Sequence, residues 1–549
     1  MNKKRIFENI INGIKSTFDR FPVVLSLSIV TTILGVILIQ KHDIEITWLS
    51  KLFLTTLISL PLSIAATLTA EKYNKKTLTF SILGIFLILF YFLFSKDVFY
   101  IEQEIYKLQY FLWILASAAL ITIIPFIQKA VKNLSDFWHY NQRILYSALA
   151  TIFYSGAIFA GLAIALASIN VLFDLKIEGI RWAQLAVTIA GLFSTTFFLS
   201  RFPGIDEKET DYPKELRLFS FYVLMPLVAI YFLILYSYSG KIIFTQEWPK
   251  GIISSMILGF SMLGIFTYAL VYPLTLKDGL LQKISKWFFI ALLPQIVLLF
   301  LAVKLRISEY AITEQRYFVV IFGAWLLGMS LYFLISKTKD IRIIAKSLFI
   351  LIFLVSFGPW GAFDVSRDSQ VQRLEKILIN NNMLVGGKVA STTTQISFKD
   401  RQEISEIISY LNLNHGLESI QPWFDTDLNN AEDKYSRAKR ATELMGIYFL
   451  DRYQNTQNFY FTASSKTQTN SMKIAGYDYI IHNTRVSPEM NYGEITHNNS
   501  VYRFELATTT LEYIVRKNGI QVSQFSIKEF IDRLKASYLQ NGKTEFASE

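Results

Sequence analysis

The chain of 549 residues has no cysteine. That excludes a disulfide, a thiolate metal site and a cysteine nucleophile, and it leaves the compartment open, since a disulfide-free domain is possible on either side of a membrane. Charge is missing from its long apolar runs: across all eleven of them there is no Asp, Glu, Lys or Arg. Proton pumps and many ion-coupled carriers place ionisable side chains at membrane depth despite the desolvation cost, so this absence argues against both. No GxSxG, P-loop or GxGxxG stands in a strand-to-helix setting, and no HExxH occurs. Hydrolase, nucleotide-binding and zinc-protease chemistry therefore lack their usual scaffolds, and no cofactor is expected.

What is present is length and greasiness. Hydrophobic residues make up 52% of the chain and charged residues 18%. Apolar runs lie at Phe21–Gln40, Leu52–Ala70, Leu78–Ser95, Leu108–Gln128, Leu145–Val171, Trp182–Ser200, Leu218–Tyr238, Gly251–Leu276, Trp287–Val303, Tyr317–Ile335 and Ser347–Phe363. About 20 apolar residues at 1.5 Å each match a hydrocarbon core roughly 30 Å thick, so each run reads as a transmembrane helix. The expected architecture is an all-α polytopic membrane bundle of about 11 helices, residues 21–363, followed by a soluble α+β domain, residues 364–549. The first run is a full-length span without a small-residue cleavage site, and it reads as a retained signal anchor.

The net charge of +11 is concentrated in the membrane part, because residues 364–549 hold 21 basic and 22 acidic residues. The excess is a topology signal, not a nucleic-acid one. Placing the N-terminus in the cytoplasm puts 22 Lys and Arg inside and 11 outside. An odd number of spans then exports residues 364–549.

Ile6, Phe7, Ile10, Ile11, Ile14 and Phe18 recur at helical spacing among Lys3, Lys4, Arg5 and Lys15. Residues 1–20 thus read as an interfacial amphipathic helix. Trp48, Trp182, Trp248, Trp287 and Trp360 fall at span ends, where an amphipathic ring favours the headgroup region. Gln184, Gln295 and Tyr272 read as interhelical hydrogen-bonders. Pro61, Pro125, Pro226, Pro273 and Pro294 each free a backbone carbonyl that something must satisfy. The small residues Gly156, Ala157, Ala160, Gly161, Ala163, Ala165 and Ala167 permit close backbone approach, which places the fifth span centrally in the bundle.

Residues 364–549 change to shorter periods. Helices are expected at Val371–Met383, Asp400–Leu413, Glu432–Met445 and Ser526–Leu539, with capping signals Asp400/Glu403 and Ser526/Glu529. Strands are expected at Asn458–Thr462, Tyr477–His482, Val501–Leu506 and Leu511–Arg516, with Asn518-Gly519 as a hairpin turn. His415, His482 and His497 stand apart in sequence and suggest no metal site. Asp425 and Asp427 lack the glycine and terminal Glu of a calcium loop, and read as a solvated turn. Pro422-Trp423-Phe424 reads as core packing or, alternatively, a docking group.

The richest chemistry lies after the ninth run, where Arg306, Glu309, Tyr310, Glu314, Arg316 and Tyr317 fall close together at the outer membrane surface. One reading has Arg306 and Arg316 holding an anionic headgroup while Glu309 or Glu314 acts as a base. The other is a local salt-bridged loop with snorkelling cations. The stretch Glu309–Phe318, with Ser356-Phe357-Gly358-Pro359-Trp360 and more loosely Arg373-Leu374-Glu375 and Gly476–Ile480, resembles the bacterial membrane proteins grouped as domain-of-unknown-function family 4153. The resemblance implies an integral membrane protein of bacterial type. It assigns no activity, cofactor or catalytic residue.

Three functions follow from these residues. The first is an inner-membrane bundle carrying an exported interaction or sensing domain, with the lipid bilayer and an envelope protein as partners. The second is an envelope enzyme acting on a lipid-linked substrate. The third is a facilitator or flippase for a lipid or another amphipathic solute.

Overall fold

The computed structural model describes residues 3–41, 47–94, 103–127, 134–204, 211–245, 252–390, 396–428, 434–450, 462–464, 494–497, 500–507, 512–526, 528–529, 532–533 and 545–547. The chain divides into two compact units, Met1–Arg373 with Leu413–His415, and Leu374–Asn412 with Gly416–Glu549.

The helices in chain order are α1 (Lys3–Arg20), α2 (Pro22–Gln40), α3 (Thr47–Tyr73), α4 (Lys76–Leu89), α5 (Glu104–Ile123), α6 (Leu134–Phe173), α7 (Ile180–Thr188), α8 (Thr195–Ser200), α9 (Lys214–Phe219), α10 (Met225–Thr245), α11 (Ile252–Thr275), α12 (Gly279–Tyr310), α13 (Glu314–Ile335), α14 (Arg342–Ser356) and α15 (Ala362–Asn380). Wider π turns join α7 to α8 and α9 to α10. Among the described residues, nine helical runs are long and apolar enough to cross a membrane: α2, α3, α5, α6, α7–α8, α9–α10, α11, α12 and α13.

The other two expected spans form shorter helices. One covers Lys76–Phe92. The other, α14, has 15 residues and stops at Ser356, where Gly358 adopts φ +78° and Pro359 offers no N–H to continue the ladder. At 1.5 Å per residue α14 is about 22 Å long.

The expected polar connection after the ninth span is mostly helix. α12 continues through Lys304 and Arg306 to Tyr310, and only Ala311–Thr313 separate it from α13. Lys, Arg and Glu are good helix formers, so leaving the hydrocarbon does not require the helix to end.

The fifth span is not central. Beyond Thr151, α6 is largely exposed: Gly156, Ala157, Ala160 and Gly161 all lie on the outside, and a Cβ added at Gly156 or Gly161 would meet nothing within 4 Å. Small side chains allow close approach but supply little dispersion to hold it. The buried core instead includes Phe260 of α11, Leu292, Ile296 and Leu299 of α12, and Leu326 of α13. There Phe289 stacks on Phe333 with centroids 5.0 Å apart, and Tyr268 meets it edge-on at 5.1 Å.

Two carbonyls freed by prolines have donors, both supplied by α6. Pro273 leaves Ala269 O without its i+4 donor, and Trp138 Nε1 donates to it at 2.8 Å. Pro125 does the same to Ile121 O, which accepts from Tyr140 OH at 3.1 Å. With little water at hand, such a carbonyl must be satisfied by protein. Trp138→Phe should therefore lower stability in detergent by about 1–2 kcal/mol. Adding Pro273→Ala, which restores the backbone donor, should remove most of that loss in a thermal-unfolding comparison. The polar residues within spans also tie segments together: Ser239 Oγ donates to Gln295 Oε1 at 3.0 Å and Gln184 Nε2 to Gln40 Oε1 at 3.0 Å between helices, and Tyr272 OH donates to Lys339 O at 3.0 Å in the connection after α13. At the N-terminus, Arg20 clamps α1 to the bundle through Glu71 at 2.9 Å and the carbonyls of Phe202 and Pro203.

The second unit adds α16 (Phe398–Asn414) and α17 (Lys434–Leu444) around buried Ile404, Ile408, Ile420, Leu428 and Met445. The cap of α16 is Ser397, whose Oγ accepts from Asp400 N–H at 3.0 Å, so Asp400 lies inside the first turn instead of capping it. The helix expected from Val371 begins at Ala362, so residues 363 and 364 share one helix. The strands are β1 (Leu384–Val385), β2 (Lys388–Val389), β3 (Thr462–Ser464), β4 (Glu494–His497), β5 (Ser500–Ala507), β6 (Glu512–Lys517), β7 (Ile520–Ser526) and β8 (Glu545–Ala547). β4 to β7 form an antiparallel sheet in chain order, and β3 pairs with β8 in parallel. Asn518 and Gly519, at φ +49° and +83°, make the β6–β7 turn. This is the double positive-φ geometry for which Asn-Gly is favoured.

Ser526 closes β7, and the described helical residues after it are 528–529 and 532–533. Of the remaining expectations, Tyr477–His482, Gly476–Ile480, Trp248 and all of Asn458–Thr462 but Thr462 lie outside the described residues. Phe424 is buried, with Trp423 half-buried beside it. Asp425 accepts from Lys388 Nζ at 2.6 Å.

Candidate functional site

α12 ends at Tyr310 because Ala311 turns to φ +56°, and the last carbonyls of the helix then need donors. Several long side chains supply them. Arg316 NH1 donates to Tyr310 O at 3.0 Å and Ala311 O at 2.8 Å, and Gln370 Nε2 reaches Tyr310 O and Ile312 O, both at 2.9 Å. Ser369 Oγ accepts from Ile312 N–H at 3.0 Å, and Arg373 NH1 approaches Tyr310 O at 3.4 Å. Cations suit the negative end of a helix dipole, and here they come from α13 and α15.

The Tyr310 ring gathers three guanidiniums. Arg306, Arg316 and Arg373 stand 5.8, 5.5 and 5.7 Å from its centroid. Each such contact is worth about 0.5–1 kcal/mol at a half-exposed position. Glu309 is exposed on the last turn of α12, while Tyr317 OH donates to Trp360 O at 2.6 Å. The Trp360 ring is exposed, as a belt residue at a membrane–water boundary would be.

Glu314 is buried at the first turn of α13, its side chain 10% exposed, with Oε1 2.7 Å from His415 Nε2. The His415 side chain is 3% exposed. The contact is short but poorly aligned for a hydrogen bond, so distance and burial carry it more than geometry. The sequence spacing that set His415 apart gave no hint of this, since 101 positions separate the two residues.

His415 also lines a cavity of about 210 Å³ together with Tyr106 and Gln109 of α5, Gly358, Asp364 and Arg367. Arg367 bridges Asp364 at 2.7 Å and Asp368 at 2.8 Å. Burial opposes the charge of Arg367, but its bonds and proximity to Asp368 and Asp364 outweigh that, holding its pKa above the ordinary value. The cavity therefore presents a fixed cation, a carboxylate and an imidazole, a set that fits a small polar or zwitterionic molecule. Among the described residues no group of three or more His, Asp or Glu side chains gathers as a metal site requires. His482 lies outside the described residues, and His497 falls in β4.

Of the six residues singled out in sequence, Tyr310 brings Arg306 and Arg316 together, whereas Tyr317 bonds Trp360. Glu314 turns inward to His415 and Glu309 outward. Arg373, Asp364, Arg367 and His415 enter only through the fold. Their signal in sequence was indirect: Arg373 and the Ser356–Trp360 segment belong to the stretches that carry the family resemblance, and those stretches meet here.

Residues 23–387 match the family described as Domain of unknown function (DUF4153). An uncharacterised protein of Pasteurella multocida (strain Pm70) is 25% identical over 236 residues, covering 43% of this chain and 39% of that relative's length. No solved structure matches the chain. With a family match across about two thirds of its length and, among the described residues, nine helices fit to cross a bilayer, this multi-pass membrane protein belongs to the DUF4153 family.

Proposed function

We propose that the protein resides in a bacterial inner membrane with its N-terminus in the cytoplasm. On this reading eleven crossings, including Lys76–Phe92 and α14, hold residues 364–549 outside as an interaction or sensing domain. The polar centre around Tyr310, Glu314 and His415 receives its signal. The observation that carries the proposal is convergence. Glu309–Phe318, Ser356–Trp360 and Arg373 meet through Arg316, Tyr317, Trp360 and Arg373 at one end of the bundle.

The natural absence of cysteine offers a clean test of topology. Single variants Lys528→Cys and Lys75→Cys, both at exposed positions, would be challenged with an impermeant maleimide in intact spheroplasts. The first is expected to label at once and the second only after lysis. The reverse pattern, or equal labelling, would overturn the orientation. In the same membranes, mild-detergent purification with mass spectrometry is expected to recover a stoichiometric envelope protein.

A second reading, an envelope enzyme acting on a lipid-linked substrate, gains from the Glu314–His415 pair. A carboxylate close to an imidazole beside a cavity is a pairing that general-base catalysis can use. This reading predicts that Glu314→Gln abolishes the biological activity at normal protein abundance.

A further inference from the structure

We infer that α1 is a docking surface for an anionic lipid membrane. This stands apart from the polar centre and from the proposed orientation of the chain. At about 100° of turn per residue, the part of α1 from Ile11 to Arg20 divides into three sectors. One faces the bundle: Thr17 is buried, Arg20 bonds Glu71 of α3 and the carbonyls of Phe202 and Pro203, and α1 packs on α8 and α2. A second is polar, with Asn12, Ser16 and Asp19 all exposed. The third holds Ile11, Ile14 and Phe18, which are 47, 50 and 47% exposed. A surface helix of a soluble protein needs two sectors, one packed and one solvated. An apolar row that remains after the packed sector is filled needs an apolar phase of its own.

Place and charge identify that phase. α1 ends at Arg20, and α2, the first helix long and apolar enough to cross a membrane, starts at Pro22, with only buried Phe21 between them. One residue spans at most about 3.6 Å, so the end of α1 stays at the level where α2 enters the hydrocarbon. The bonds of Arg20 hold it against the bundle there. Lys15 is exposed between the apolar row and the polar sector, where its stem can lie along the acyl boundary while its ammonium reaches the headgroup phosphates. With Lys3, Lys4, Arg5 and Lys15 against Glu8 and Asp19, the helix carries an excess of positive charge. An amphipathic helix of this kind lies in the plane of the interface, and each cation near an anionic surface strengthens its hold.

The test uses the full chain, whose lack of cysteine leaves each introduced thiol unique. Ile11→Cys, Ile14→Cys, Phe18→Cys, Asn12→Cys and Ser16→Cys, all at exposed positions, would each carry a nitroxide in nanodiscs of phosphatidylglycerol mixed with phosphatidylcholine. Electron paramagnetic resonance then reads collisions with oxygen, which partitions into acyl chains, and with a water-soluble nickel chelate. The labels at Ile11, Ile14 and Phe18 should favour oxygen, and those at Asn12 and Ser16 nickel. In phosphatidylcholine alone, or with Lys15→Glu added in the mixed membrane, the oxygen-to-nickel ratio at Ile14 should fall about threefold.

Nickel contact at Ile11, Ile14 and Phe18 equal to that at Asn12 and Ser16 would overturn the docking surface. Protection of the row from both reagents would overturn it too, by showing that a second copy or another protein covers the row. An oxygen preference indifferent both to phosphatidylglycerol and to Lys15→Glu would overturn the requirement for an anionic lipid.

Discussion

Glu314→Ala should lower the unfolding free energy of the detergent-purified protein by about 2–3 kcal/mol, among the largest single-residue effects in the chain. Removing one member of a buried polar pair leaves the other without its partner, and for well-aligned ionic pairs that loss reaches about 3–5 kcal/mol. The poorly aligned 2.7 Å contact to His415 places the expected value below that range. His415→Ala should cost a similar amount. The double variant should cost less than the sum by about 1 kcal/mol or more, because the second change no longer breaks the contact. Strict additivity in thermal melts would show the two side chains to be energetically independent. Glu314→Gln keeps the shape and an acceptor oxygen, and should lose about 1 kcal/mol. That makes it the variant of choice for asking whether the carboxylate has chemistry beyond stability.

Phe289→Ala is expected to cost about 3–5 kcal/mol, and the reason separates this protein from a soluble one. Lipid tails are as apolar as a phenylalanine, so inserting the ring between helices gains little from the hydrophobic effect. What is lost is contact: Phe289 is 2% exposed and packs on Phe333, Tyr268 and Phe288, joining α11, α12 and α13. The same α12 carries Val297 at 59% exposure. Val297→Ala, facing outward from the bundle, should change stability by less than about 0.5 kcal/mol. If the two substitutions cost alike, side-chain apolarity and not packing would be holding the bundle together.

The cavity beside His415 has a carboxylate and a cation locked together in Asp364 and Arg367, which suits a ligand with little net charge. It lies in the first unit, as do the three arginines around Tyr310.

The sequence by itself determined the class of the protein. Runs of apolar residues at the length of a bilayer can be satisfied only by helices, since every backbone polar group must be paired within its own segment. The apolar runs therefore fall within all nine long helices of the described residues, although α6 starts 11 residues before its run and α12 extends 7 beyond its own. Asn518-Gly519 was legible for a similarly local reason, because the turn is decided by the φ preference of two residues.

The polar stretch after Val303, for which a salt-bridged loop is one reading of the sequence, continues α12 to Tyr310, since the end of hydrophobicity is not the end of a helix. The place of α6 does not follow from its small residues, which permit packing without compelling it. Neither can be settled from neighbours in sequence. The pairing of Glu314 with His415, the third arginine at Tyr310 and the donors that satisfy Ala269 and Ile121 were decided by tertiary structure alone. Each joins residues that local propensity treats as independent, and only the packing of the helices brings them within bonding distance.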